Sequence, residues 1–442
     1  MATSARRKAA AGLLAAGMLF SVVACSPAPQ DDANAPLEVW ARVSGGAAAA
    51  YERIFAEYTA QTGVEIDFTA VPELDTQIQA LAQQKKLPDV WINDAGSLGN
   101  YVAQGFLLPV DPANIDGAEN IPQSTWDENL GIDGEIYGVP FSRQAVVTFV
   151  RKDWRENLGY DVPKTWDELH ELAVAFAEED PDGNGKDDTY GMIVPGSAQS
   201  GYIYRWMNPY ILQAGGDALT NNDDGTFSVA FDSAEVREAA EWVQQQFCTE
   251  GAIVPGSIGM TTADSSFFET GEAGIYATGI YNLNTFDNAV GAENVEIIPM
   301  PEGPAGSTSW AEGEDIYFGA ASDRMAEKEQ LASFLISETA QRIGMEAGVD
   351  VDGAITQAVV RIPVNQNVDA VAVTGDERYQ VAVDAYADAV PFPWSINFLP
   401  YRQIIADGLN AMMSSCGSDI DAGITQIASD LQAQLETDGI AG

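Results

Sequence analysis

Residues 87–111 read LPDVWINDAGSLGNYVAQGFLLPVD. Val90, Trp91 and Ile92 form a short apolar, β-prone run. It stops at Asn93-Asp94-Ala95-Gly96, which is turn chemistry. Leu98, Tyr101, Val102 and Phe106 then recur at helical spacing, and Gly105 is placed to end that helix. A buried parallel strand delivering polar side chains at its carboxyl end is the usual frame of a ligand site in an open α/β sheet.

Upstream, Leu37–Arg42 predicts a first strand that runs into the small polar turn Val43-Ser44-Gly45-Gly46. A helix is predicted from about Ala48 to Thr62, with Tyr51, Ile54, Phe55 and Tyr58 as its apolar stripe and Gly63 as its cap. Val64–Phe68 predicts a second strand and Asp75–Gln84 a second helix. Strand, helix, strand, helix, strand is half of a doubly wound sheet. Trp40 and Arg42 end one strand, and Asn93 and Asp94 end another, so all four are candidates for one rim.

Downstream, Ile132–Ser142 predicts a hairpin turned at Asp133-Gly134, and Ala145–Val150 a further strand. Thr165 and Glu168 form a capping box for a helix that runs to about Glu179. Tyr202, Tyr204, Trp206 and Tyr210 are too many large rings for an ordinary surface; they fill a second core or face a cleft. Pro304–Glu314 predicts a loop carrying Trp310, followed by a strand at Ile316–Ala320. Phe392-Pro393-Trp394-Ser395 is a rigid aromatic loop before two closing amphipathic helices. Trp154, Trp166 and Trp242 sit in helical contexts and read as core anchors. A chain of this length exceeds what one core usually supports, so two lobes are expected.

Residues 1–24 read as a signal sequence: Arg6, Arg7 and Lys8, then a small apolar run too short to favour a transmembrane helix. It ends in Val22-Val23-Ala24-Cys25, which resembles the bacterial lipobox. That resemblance implies cleavage before Cys25, lipid attachment to its sulfur and an extracytoplasmic address at a bacterial membrane. A plain secretory peptide cut nearby is the alternative. Residues 25–35 would be a flexible tether. Removal of 1–24 leaves 18 Lys+Arg against 66 Asp+Glu, a formal charge of −48. Such a surface repels nucleic acid.

Cys248 and Cys416 then remain, and the sequence allows either a disulfide or two buried thiols. The single histidine, His170, has no histidine partner for zinc or triad chemistry and reads as structural. Asp180–Gly191 reads DPDGNGKDDTYG. Asp180, Asp182, Asn184, Lys186 and Asp188 fall at positions 1, 3, 5, 7 and 9 of a calcium loop, with Gly185 at the sharp turn. The twelfth position is Gly191 where a bidentate Glu is usual, so a structural Ca²⁺ site and an Asp/Gly-rich surface turn both stay open.

The ordered set VVAC, WARVSG, LPDVWINDAG, YVAQGFLLPVD, GEIYGVPFS, PKTWDELHELA, DPDGNGKDDTYG, GEAGIYATGIYN and PFPWSINFLPYRQIIADGLNAMM carries a family resemblance across nearly all of the mature chain. The chain resembles the extracellular solute-binding proteins of ABC importers, in the carbohydrate-binding group that includes maltose-binding protein. The resemblance implies an α/β, two-lobed periplasmic-binding-protein-like fold with the ligand cleft between lobes. Lobe one would be 36–143 plus 277–348, and lobe two 144–276 plus 366–442. Crossovers would fall near 142–146, 274–278 and 349–365. It implies cleft roles for Asp94 with Asn93, for Trp40, Arg42 and Ser44, for Arg143, and for Tyr281 and Trp394; Trp310, beside a turn, joins them as a candidate. Many relatives have Gly-Pro-Trp where this chain has Gly279-Ile280-Tyr281. A subset of the group binds calcium at the matching loop.

The expected function is sugar capture by lobe closure and delivery to a permease, with no bond made or broken and no cofactor required. The expected partners are a carbohydrate, permease subunits and the membrane through the lipid anchor, and the body is expected to be a monomer. Aromatic planes beside Asp, Asn and Arg suit pyranose faces and hydroxyls. Polyamine, peptide or phosphate-ester ligands are the alternatives; a phosphate ester would want Arg42 and Arg143 converging on a helix N-terminus. A secreted glycoside hydrolase or lyase is the rival class, because paired carboxylates cannot be seen in sequence.

Overall fold

The computed structural model describes residues 35–222, 224–264 and 266–442. The expected signal segment 1–24, Cys25 and the tether up to residue 34 lie outside them.

The strands are, in chain order, β1 (Leu37–Ala41), β2 (Ile66–Ala70), β3 (Val90–Asp94), β4 (Gly138–Arg151), β5 (Tyr190–Ile193), β6 (Leu219–Asn221), β7 (Phe227–Val229), β8 (Ala273–Gly279), β9 (Val295–Ile298), β10 (Ala311–Phe318), β11 (Asp350–Val351), β12 (Ala354–Ile355) and β13 (Ile362–Pro363). The main sheet runs β2-β1-β3-β10-β4-β8-β5, with β9 and β13 also paired to β4. β1 lies parallel to both β2 and β3, and β10 enters antiparallel between β3 and β4.

β4 organises both lobes. Its first part pairs β10 as far as Ala145↔Ala311, and its second part pairs β8 from Val146↔Gly279 onward. Every one of its residues is buried. The sequence predicts two pieces here, a hairpin ending at Ser142 and a separate strand at Ala145–Val150. The strand continues because Pro140 sits opposite Asp315 where β10 shifts register, and a bulge tolerates the missing N–H. Of the predicted hairpin a short antiparallel bridge remains, Leu130 opposite Ile136, closed by Gly131 N to Glu135 O (2.8 Å) and Tyr137 N to Asn129 O (3.1 Å).

The second crossover differs from expectation. β8 and β9 both pair the second part of β4, so 277–298 belongs to the sheet of the second lobe. The chain returns to the first lobe between β9 and β10. The Gly-Ile-Tyr turn after β8 only starts the helix Leu283–Val290, which brings the chain back to β4's other side.

Consecutive strand residues face opposite layers. Val90 and Ile92 join the core that includes Leu37, Val39, Tyr51, Ile54 and Phe55, whereas Trp91 joins the core of Tyr101, Leu98 and Ile78. Helices cover both faces, as the predicted doubly wound half requires. Trp154, Trp166 and Trp242 are buried anchors. Thr165 Oγ1 accepts from Glu168 N at 3.3 Å, so the predicted cap forms. Cys248 and Cys416 are disulfide-bonded, which ties the end of helix Ala234–Cys248 to the turn after helix Leu399–Met413. His170 Nδ1 lies 2.7 Å from Gln246 Oε1 and packs two helices together.

Candidate functional site

Asn93 and Asp94 end β3 but point apart. Asn93 is 1% exposed and donates to Asp75 at 3.0 Å and to the Tyr101 hydroxyl at 2.6 Å. Tyr101 in turn donates to Asp75 at 2.6 Å. This network fixes the strand end from behind. Asp94 faces the space between the lobes and ion-pairs with Arg42, which follows β1.

Register supplies the other carboxylates. Glu314 of β10 stands opposite Asp94, and Glu312, two residues away on the same face, stands opposite Gln144 of β4. Glu314 takes Arg361 at 3.0 Å and Arg42 at 3.9 Å. Glu312 accepts from Gln144 at 2.9 Å and ion-pairs with Arg205. Arg205 belongs to helix Tyr202–Ala214 of the second lobe, so this pair spans the cleft. Burial alone would raise the Asp94 carboxyl, but Arg42, with Arg205, Arg361 and Arg402 behind it, holds it below its ordinary value.

The cleft comprises two adjoining cavities of about 260 and 270 Å³. Arg42, Asp94, Tyr202, Arg205, Trp310 and Glu312 line both. The first extends to Gln144, Tyr281 and Arg361, and the second to Gln199, Ser200, Trp394 and Arg402. Tyr281 leaves 41% of its surface free, and the Arg361 guanidinium lies 5.7 Å from its ring centre. Arg205 sits 5.2 Å from the Trp310 ring, which packs on Phe392 from behind at 4.7 Å. The walls thus offer aromatic faces beside charged hydrogen-bonding groups.

Of the expected site residues, Arg42, Asp94, Tyr281, Trp310 and Trp394 line these cavities. Asn93, Trp40, Ser44 and Arg143 do not. Trp40 packs at the edge of the core that holds Trp91, and its Nε1 donates to Glu38 at 2.9 Å. Ser44 is exposed, as the N-cap of helix Gly45–Thr62. Arg143 is 1% exposed, bonded to Glu128 at 2.9 Å and Asp315 at 2.8 Å. Its guanidinium lies 5.6 Å from the Trp394 ring, so it supports that ring from beneath. Arg42 and Arg143 therefore do not converge, and the phosphate-ester arrangement is not built here. Arg205, Arg361 and Arg402 were not foreseen, whereas Tyr202 was among the rings expected to fill a second core or face a cleft. Arg205 and Tyr202 lay in a segment already marked by its rings; Arg361 and Arg402 carried no local signal.

The 180–191 loop contributes no residue to the lining of this cleft. Gly185 takes φ +76° at the turn, and Gly185 N donates to Asp180 Oδ2 at 3.0 Å. Asp180 Oδ1 is buried without a partner, an orphan that a cation would satisfy. Asn184 Nδ2 bridges Asp182 (2.7 Å) and Asp188 (3.1 Å), and Lys186 reaches Asp188 at 3.7 Å. Among the described residues no group of three or more His, Cys, Asp or Glu side chains is assembled to hold a metal ion. Gly191 is Gly because a Cβ there would meet the carbonyls of Ala173 and Ala252 at 2.6 Å each. A Glu at that position has no room.

Residues 44–342 match the family model of bacterial extracellular solute-binding proteins. The chain is 30% identical over 275 residues to the polygalacturonan/rhamnogalacturonan-binding protein of Bacillus subtilis, covering 59% of this chain and 54% of that one. It is 25% identical over 291 residues to a fructooligosaccharide ABC transporter substrate-binding protein of Streptococcus pneumoniae, covering 60% and 52%. These matches span about half the length of each relative. In structure it is similar to maltose-bound MalE3 of T. maritima, with a TM-score of 0.75 at 19% identity, covering 90% of this chain and 99% of that one. The fold is thus the mixed α/β, two-lobed periplasmic-binding-protein fold. The chain belongs to the bacterial extracellular solute-binding proteins.

Proposed function

We propose that this protein is a receptor that captures a sugar or oligosaccharide between its lobes and delivers it to an ABC importer permease. The observation that carries the reading is the composition of the cleft walls. Tyr281, Trp310 and Trp394 present rings, and Asp94, Arg42, Glu312 and Arg205 present charged donors and acceptors beside them. Sugar C–H faces pack on rings, and hydroxyls pair with ionised groups more strongly than with neutral ones. Two relatives are named for saccharide ligands, and a similar structure holds maltose. Closure about the crossing strands would shut the ligand away from water and strengthen its hydrogen bonds.

The VVAC motif supports a lipid anchor at Cys25 and an extracytoplasmic address. The 180–191 loop is a structural Ca²⁺ site of the second lobe on the same footing, supported by its spacing and the orphaned Asp180 oxygen. A thermal-shift screen of mono- and oligosaccharides, polyamines and peptides tests the receptor reading. It stands if saccharides alone raise Tm, and fails if only polyamines or peptides do.

A further inference from the structure

We infer that the sugar taken by this cleft is acidic, carrying a carboxylate that docks on Arg402 at the end of the cavity beside Gln199, Ser200 and Trp394. The inference rests on the saccharide reading above and narrows it.

Among the described residues, every arginine makes an ion pair except Arg342 and Arg402. Arg342 is exposed on the surface. Arg402 is half-buried, lines the cleft, and its side chain makes no hydrogen bond among the described residues. In a chain with formal net charge −45, a guanidinium without a carboxylate partner is a departure that needs a cause. Its surroundings disfavour it. Arg402 stands in the first turn of helix Leu399–Met413, where the macrodipole opposes a cation. Burial, and then the neighbouring Arg205, bring its proton affinity down to about 10.

The backbone nevertheless makes room for it. A Cβ on Gly201 would meet Arg402 Cγ at 2.5 Å and Nε at 2.9 Å. The guanidinium stem therefore lies directly on the Gly201 backbone, ahead of Tyr202 and Arg205. An arriving anion would remove the repulsion between Arg402 and Arg205 and supply the missing acceptor. Asp94, Glu312 and Asp75 act on Arg402 from the same cavity, so a dianion would be repelled. A single planar charge matches one guanidinium fork, which favours a carboxylate over a phosphate.

Calorimetry tests this with trimers of galacturonic, glucuronic and mannuronic acid, their neutral methyl esters, and 6-sulfated and 6-phosphorylated trisaccharides. At least one acid is expected to bind tenfold or more tightly than its methyl ester, with an affinity that weakens as salt rises. Arg402→Gln is expected to erase the acid-over-ester preference by weakening the acid at least tenfold more than the ester, and Arg402→Lys to retain part of it. Melting curves of both variants report folding. Equal binding of acid and ester, or a preference untouched by Arg402→Gln, overturns the inference and leaves the sugar receptor standing. Preference for the sulfate or phosphate also overturns it. Failure of every saccharide overturns both readings.

Discussion

Arg205, on the first turns of a second-lobe helix, ion-pairs with Glu312 on β10 of the first lobe. One contact therefore joins the walls of the cleft. Gln144, on the strand shared by both lobes, holds the same carboxylate at 2.9 Å. Glu312→Gln is expected to loosen the pairing and widen the distribution of lobe angles. Small-angle scattering of the ligand-free variant should show a larger radius of gyration than wild type, and sugar affinity should fall roughly tenfold. An unchanged radius would mean that the pair does not restrain the lobes.

Asp94 is held ionised by Arg42, which makes it a source of pH dependence. A carboxyl with a folded value below its unfolded one stabilises the fold above the unfolded value, and that contribution is lost as pH falls through the folded value. Asp94→Asn is therefore expected to lower Tm at pH 7 and to converge with wild type in acid, below the ordinary carboxylate value of about 3.9. In binding, Asp94→Ala removes an acceptor and leaves Arg42 without its near partner. A loss of tenfold or more is expected by calorimetry.

Strand periodicity explains why Asp94 could be anticipated and Asn93 misplaced. The run Val90–Ile92 and its turn locate the strand end, and parallel neighbours place Arg42 within reach of it. Which of two adjacent polar residues faces the cleft depends on pleat phase, and that is set by Trp91 packing edge-on to Tyr101 at 5.4 Å. The carboxylates of β10 were harder. Ala311–Phe318 has Gly313 and three acidic residues, a loop-like composition, yet it is a central strand because Arg42, Arg205, Arg361 and Arg143 pair those acids. Such long-range pairs leave no local trace. Arg143 is the converse case: a motif position that suggested ligand contact is absorbed by Glu128 and Asp315.

Tyr281 separates binding from folding. Its ring is 41% exposed, and its hydroxyl meets Thr278 Oγ1 at 3.0 Å. Tyr281→Ala should cost little stability but weaken sugar binding about tenfold, whereas Tyr281→Phe should retain most affinity. Trp394, 4% exposed and packed over Arg143, should lose both stability and binding when cut to Ala.

The Cys248–Cys416 bond closes a 168-residue separation within the second lobe. Reduction, or Cys248→Ser with Cys416→Ser, is expected to cost roughly 2–5 kcal/mol of stability. Denaturant titration would read it. Ligand affinity should be unchanged, because neither cysteine lines the cleft.

Calcium binding to the 180–191 loop should raise Tm, and EDTA should reverse the rise. Asp180→Ala should abolish the response without altering sugar affinity. A Tm indifferent to both reagents would assign the loop to an ordinary Asp/Gly turn.

The most direct measurement is calorimetric titration of the purified protein with the saccharides that raise its Tm, coupled to chromatography of the recovered ligand. The account predicts one saturable site, weakened by Asp94→Ala and by Tyr281→Ala, with the sugar recovered intact. Binding confined to polyamines or peptides would contradict the choice of ligand, and cleaved sugar would contradict the receptor itself.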